Sequence, residues 1–350
     1  MGRRQTDSEF RRIPVPILSF LGCVSIFMVY LCFSVTYKPS STRKVSFGPI
    51  SYKSSGEKGG EEEKCCRGIE HLELWGHSAN WGSNFRLNSS KDCCMACKRM
   101  CEAENRPCLC NSWVFCGNKK ACGSRFGECW LKKQRDILSP DRKEAGDQVM
   151  WTSGLIFGIE EGVVGLDTEE YGILRVKLLP DCAPLSVDYI LELLASRHCA
   201  GCQFHRAESR GTHWDIEGNH IENALYGPPF ALIQGTLEAH NKRFKKIPVE
   251  FCSIIKRGTV AWVGSGPEFF ISLANHNEWK KAYTVFGFVH PQDMEIAEKI
   301  AQLPTKHEVW GNIKVSVLEK PVSLRLRRTT NTSRTSLELN SNMNTDTKPS

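Results

Sequence analysis

YGILRVKLLPDCAPLSVDYILELLASRHC, residues 171–199, decides the fold class. YGILRVKLLPD reads as a strand that ends at a Pro-Asp turn. In the following APLSVDYILELLASRHC, Val187, Ile190, Leu191 and Leu194 recur at helical spacing, the pattern of an amphipathic helix. Further along come four short strand-like runs, FALIQGTLE (230–238), GTVAWVG (258–264), EFFISLA (268–274) and YTVFGFV (283–289). A helix at DMEIAEKIAQL (293–303) and a last strand at NIKVSVLEK (312–320) complete the series. Many strands with few helices imply a mainly β domain closed as a barrel.

Upstream the composition changes. The chain carries 17 cysteines, and eleven of them fall between Cys65 and Cys129, far more than a reduced cytosolic protein of 350 residues holds. Cys94-x2-Cys97 has half of a zinc spacing, but Cys65, Cys66, Cys93, Cys101, Cys108, Cys110, Cys116, Cys122 and Cys129 do not resolve into quartets, so disulfides account better for the cluster. SSKDCCMACKRMCEAEN, residues 89–105, reads as a helix capped at Ser90, with Cys94, Cys97 and Cys101 on one face. Trp75, Trp81, Trp113, Trp130 and Trp151 are its aromatic anchors.

Nearer the N-terminus, Ile13–Tyr37 has no charged residue over a length that can span hydrocarbon as a helix. A cleaved signal peptide has a shorter apolar stretch and a small-x-small site, which is not found here, so an uncleaved anchor is the better account. The expected organisation is a cytosolic arm (1–12) bearing Arg3, Arg4, Arg11 and Arg12, a transmembrane helix (13–37), a flexible stem (38–64), a disulfide-rich module (65–152), a second domain (153–325) and a disordered tail (326–350). That is a type II protein of the Golgi or endoplasmic reticulum with a lumenal body. Sequons at Asn88 and Asn331 fit such a compartment. The net charge of +7 is mild and much of it is terminal, which leaves no basic stripe for nucleic acid.

Residues 65–152 resemble a PAN/apple module through DCCMACKRMCEAEN (92–105), CNSWVFC (110–116) and CWLKK (129–133). The resemblance implies a small α+β domain with disulfides from helix to neighbouring strand, and a role in binding protein or carbohydrate. Residues 157–320 resemble the cyclophilin family of peptidyl-prolyl isomerases. LRVKLLPDCAPLSVDYILELL, QFHRA, FALIQG, RGTVAW, EFFISLA and YTVFGFV with the following EIAEKI occur in the family's order. This resemblance implies an eight-stranded closed barrel capped by two helices, with a peptide groove on the outer face and no cofactor or metal. It assigns Arg206 as the catalytic arginine. Leu232, Gln234, Phe270 and Trp279 are the implied substrate-binding residues, together with Phe230, which stands one residue off its expected spacing.

Several positions depart from that pattern. Residues 207–230 are a long insertion where the family has a short turn, Glu268 stands for a glutamine, Tyr283 for a histidine and Gly264 for an asparagine. Glu268 and Tyr283 still line the implied groove. An Arg206–Glu268 ion pair is expected, and it would weaken donation from the guanidinium to a prolyl nitrogen. Two functions stay open: a membrane-anchored isomerase of proline-containing lumenal clients with a weakened site, or a non-catalytic scaffold that binds protein or glycan partners. His205 is read as a packing residue. His213, Asp215 and His220 in the insertion are read as solvated, and Cys199 and Cys202 as a structural disulfide that lacks the helix N-terminus of a redox motif.

Overall fold

The computed structural model describes residues 65–101, 108–196, 199–238 and 244–329. Ile13–Tyr37, the stem and Asn331 lie outside the described residues. Among the described residues no helix is long and apolar enough to cross a membrane.

The first part contains strands β1 (Ile69–Glu70), β2 (Leu72–Leu74) and β3 (His77–Asn80), helix α1 (Ser90–Arg99), strand β4 (Ser112–Phe115), the single turn α2 (Lys119–Cys122), and strands β5 (Cys129–Lys133), β6 (Arg142–Ala145) and β7 (Thr152–Leu155). Five of the strands form one sheet in the order β1-β7-β4-β5-β3, and β2 pairs with β6. The cap of α1 is Ser89, one residue before the expected Ser90; its Oγ accepts from the Asp92 amide at 3.1 Å and satisfies a donor the first turn cannot. Cys93, Cys94 and Cys97 form the buried face of this helix. They bond to Cys129 at the start of β5, to Cys66 and to Cys110 just before β4, and Cys101–Cys108 and Cys116–Cys122 close shorter loops. Trp113 is fully buried because Gly154 lies opposite it; a Cβ there would come within 2.7 Å of the indole. Trp151 is also buried, whereas Trp75 and Trp81 are exposed, so those two are not core anchors. Because β7 pairs with both β1 and β4, the expected cut between 152 and 153 falls inside this sheet, which ends at Leu155.

The second part contains β8 (Val163–Asp167), β9 (Ile173–Leu178), helix α3 (Pro184–Ser196), β10 (Gln203–Glu208), β11 (Leu232–Thr236), β12 (Thr259–Trp262), β13 (Glu268–Ser272), β14 (Val285–Val289), helix α4 (Met294–Ile300), β15 (Thr305–Trp310), β16 (Ile313–Ser323) and β17 (Arg325–Arg328). They form one ten-stranded antiparallel sheet, β15-β16-β10-β11-β13-β12-β14-β9-β8-β17. The two flanks are carried by one run of chain. β16 pairs with β10 and β17 with β8, and only Leu324 separates them. Residues 326–328, expected in a disordered tail, are therefore the end of a strand. Alternation on β9 buries Leu174, Val176 and Leu178. With Phe204, Ile233, Trp262, Phe269 and Phe286 they pack against Val187, Ile190, Leu191 and Leu194, the face of α3 that helical spacing predicts.

The two parts share a joint. Leu72, Leu74 and Trp151 belong to the same apolar cluster as the core under α3. Cys65 is bonded to Cys252, the Arg67 guanidinium donates to Phe251 O at 2.6 Å, and Lys98 Nζ meets Asp181 at 2.6 Å. Buried beside this bond, Cys182 keeps a free thiol with its Sγ 2.7 Å from that of Cys252; burial pushes its pKa up to about 12.

Candidate functional site

The site begins with an irregularity in β10. Phe204 faces Gly235 and Arg206 faces Gln234, which leaves His205 as an extra residue on the bulged strand. Phe204 points into the core. The bulge brings the two consecutive side chains of His205 and Arg206 to common neighbours on the outer face: His205 lies 3.2 Å from Glu268, Arg206 bonds to Gln234, and both approach Trp310.

On that face a second apolar cluster stands apart from the core, with Leu232, Ile255, Ala261, Phe270 and Val285 below and Phe230, Trp279 and Tyr283 at the sides. Phe270 meets Trp279 edge-on at 5.8 Å and Tyr283 at 5.2 Å, and Phe230 lies 6.4 Å from Trp279. Burial raises the pKa of the Tyr283 phenol, so the residue that replaces the expected histidine is a neutral wall. Arg206 stands at the rim, its guanidinium carbon 5.7 Å from the Phe230 ring. Every implied groove residue, Phe230 included, is thus in one place.

The expected Arg206–Glu268 pair is not formed. Arg206 Nε and Nη2 both lie 2.9 Å from Glu208 Oε1, and Nη1 donates to Gln234 Oε1 at 2.9 Å. Glu268 instead takes the Gln234 amide at 3.2 Å and His205. The bulge gives Glu268 two nearer partners, His205 and the amide of Gln234, while Glu208, two residues along the same strand, falls on the side of Arg206. Glu208 is buried and its other oxygen accepts from the Phe230 amide at 2.6 Å, so one carboxylate fixes both the guanidinium and the ring beneath it. A guanidinium has five N–H groups. The contacts with Glu208 and Gln234 leave one on each terminal nitrogen without an acceptor among the described residues.

The insertion is built, not loose. Trp214 is buried and meets the His276 ring edge-on at 5.1 Å; Asp215 accepts from Asn219, and Asn219 in turn from Asn275. His276, which sequence reasoning missed along with Glu208 and Trp310, is wholly buried. Its ring stacks on Trp279 at 3.7 Å and its Nε2 lies 2.9 Å from Phe230 O, so it supports both aromatic walls. Burial lowers its pKa, against the Glu278 carboxylate 2.6 Å from Nδ1. His213, Asp215 and His220 are not gathered around a common point; the one such group among the described residues is Cys65, Cys182 and Cys252. Cys199 and Cys202 are disulfide-bonded, and Gly264 holds a turn at φ +61°.

A guanidinium thus stands at the rim of an aromatic groove, on the outside of an antiparallel sheet flanked by two helices. Residues 163–320 match the family described as cyclophilin type peptidyl-prolyl cis-trans isomerase/CLD. No curated protein matches the chain. Two solved structures of a Cryptosporidium parvum cyclophilin type peptidyl-prolyl cis-trans isomerase are similar. One, in the presence of the dipeptide ala-pro, has 17% identity and a TM-score of 0.35; the other has 16% and 0.33. Each likeness covers 48% of this chain and 99% of the other.

Proposed function

We propose that the chain is a peptidyl-prolyl cis-trans isomerase acting on proline-containing segments of protein clients. The observation that supports this is the Arg206 guanidinium, held by Glu208 and Gln234 with N–H groups to spare, at the edge of the Phe270–Trp279–Tyr283 groove. Rotation about an X-Pro bond faces a barrier of roughly 20 kcal/mol because the nitrogen lone pair is delocalised into the carbonyl. An N–H aimed at the prolyl nitrogen localises that pair, and an apolar pocket holds the ring while the preceding carbonyl turns. No covalent step is required. Glu208 aims the arginine, and Gln234 is the group that orients the peptide backbone.

The surroundings of this site are part of the same proposal. The sheet is read as an eight-stranded barrel closed through the β16–β17 run, capped by α3 and α4. Residues 65–155 are read as a PAN/apple module, and Ile13–Tyr37 as the anchor of a type II membrane protein of the Golgi or endoplasmic reticulum, with glycans at Asn88 and Asn331. The dense disulfides support an oxidising compartment. The non-catalytic scaffold is favoured by one observation, the buried carboxylate on Arg206, which draws part of its donor strength away. NMR exchange on an Ala-Pro peptide separates the two. Acceleration by the full chain that falls about 100-fold or more in Arg206→Ala, as for loss of a group acting in the transition state, supports the enzyme; peptide binding with no acceleration would leave the scaffold.

A further inference from the structure

The groove does not stop at Arg206. Beyond it stands the hairpin of β15 and β16, whose turn at Gly311 is flanked by Val309, Trp310 and Ile313, exposed by 70%, 37% and 48%. Trp310 leans back onto the site: its ring is 5.5 Å from the Arg206 guanidinium carbon and 6.1 Å from the His205 ring, and its Nε1 donates to Glu308 Oε2 at 3.1 Å, which holds the indole on its own strand. The guanidinium carbon also lies 5.7 Å from the Phe230 ring, and Phe230 leads to Trp279. Trp310, Arg206, Phe230 and Trp279 therefore make one continuous row of flat groups. On the face of the hairpin that carries Trp310, Lys306 is paired with Glu308 at 2.9 Å and Ile313 stands directly across from the indole, while Asn312 in the turn and Lys314 opposite Val309 are exposed polar groups.

We infer that the Trp310 hairpin tip is a specificity subsite for a large apolar or aromatic side chain flanking the proline of the bound peptide. This rests on the groove being a prolyl-peptide site. An extended peptide advances about 3.3 Å per residue, so a side chain one or two residues from a proline seated against Phe270 reaches past Arg206 to the indole. The occupant is the client's own side chain, because the Trp310 ring is continuous with the groove through the flat face of the Arg206 guanidinium and Phe230. An aromatic neighbour would lie against Trp310 and its cross-strand partner Ile313, which share one face of the hairpin and lose water together.

The test uses the full chain and two sets of proline peptides, one with Gly, Leu or Phe before the X-Pro pair and one with the same residues after it, followed by tryptophan fluorescence titration and by NMR exchange. The expected result is a preference of about tenfold for Phe over Gly in one of the two sets, the ratio that one added aromatic contact supports. In Trp310→Ala that ratio falls to about one, and in Trp310→Phe it returns. Equal affinity for Gly and Phe peptides in the unaltered chain overturns the subsite but leaves isomerisation of the Gly peptides standing. If no peptide binds or is isomerised, the isomerase reading falls and the subsite with it. Concentration-dependent dimerisation abolished by Trp310→Ala, with no peptide preference, overturns the inference in favour of a self-association surface.

Discussion

The two halves of this molecule reach stability by different means. In residues 65–155 one large side chain, Trp113, is fully buried, and the helix that carries three cysteines is tied to its surroundings by covalent bonds. In residues 163–329 the same degree of burial is reached by Trp262, Phe204, Phe269, Phe270 and several leucines and isoleucines, with a single local disulfide, Cys199–Cys202. A domain too small to enclose an adequate core substitutes cross-links for apolar contact, whereas a closed packing of sheet and helix does not need them. The groove sits on the half whose geometry is set by packing, and reducing conditions act first on the other half.

Three experiments test this contrast. The largest effect is expected for Phe269→Ala, which opens a cavity in the second half and costs about 3–5 kcal/mol in chemical denaturation while the disulfide map of the first half stays unchanged. A loss under 1 kcal/mol would show that the sheet is not held by its core. Replacing Cys93 and Cys129 together by Ala is expected to cost about 2–5 kcal/mol. Protease sensitivity should then appear within 65–155 and not at the groove, and uniform cleavage of both halves would mean that they fold as one cooperative unit. The smallest effect concerns His276. Burial holds its pKa below the unfolded value of about 6.5, so the folded state binds fewer protons there than the unfolded chain; its contribution to stability is present above about pH 6.5 and is lost as pH falls from there toward the lower folded value. His276→Gln should remove that slope from the difference between denaturation curves measured at successive pH values. An unchanged slope would assign the acid sensitivity to carboxylates instead.

Much of the second half could be read from sequence because its strands and helices obey simple periods. α3 shows its helical stripe, and the runs at 230–238, 258–264, 268–274 and 283–289 each contain the strand found there. β15 and β17 were harder. TKHEVW is exposed on most positions and RLRR is nearly all charge, so neither carries an apolar alternation; β17 exists because β8 offers it a ladder and Asp167 a partner for Arg327 at 3.3 Å. The groove residues were legible through their resemblance to a family, but their electrostatics were not. One extra residue in β10 decides whether Glu208 or Glu268 pairs with Arg206, and a bulge leaves no mark in a periodic reading. Glu208 does have a sequence signal, its i+2 relation to Arg206 on a strand. Cys252 has none. It stands far from the other cysteines of the first half, and only the folded joint brings it to Cys65.

That last bond has a mechanical meaning. The Cys65–Cys252 bridge spans 187 positions, so everything between them is a closed covalent loop. A pull applied to the chain before Cys65 passes through sulfur to Cys252 and on toward the C-terminus. The whole disulfide-rich half, with Arg206, Glu208, Phe230 and Gln234 behind it, lies off the line of tension, and beyond the bridge the load falls on the stretch after Cys252.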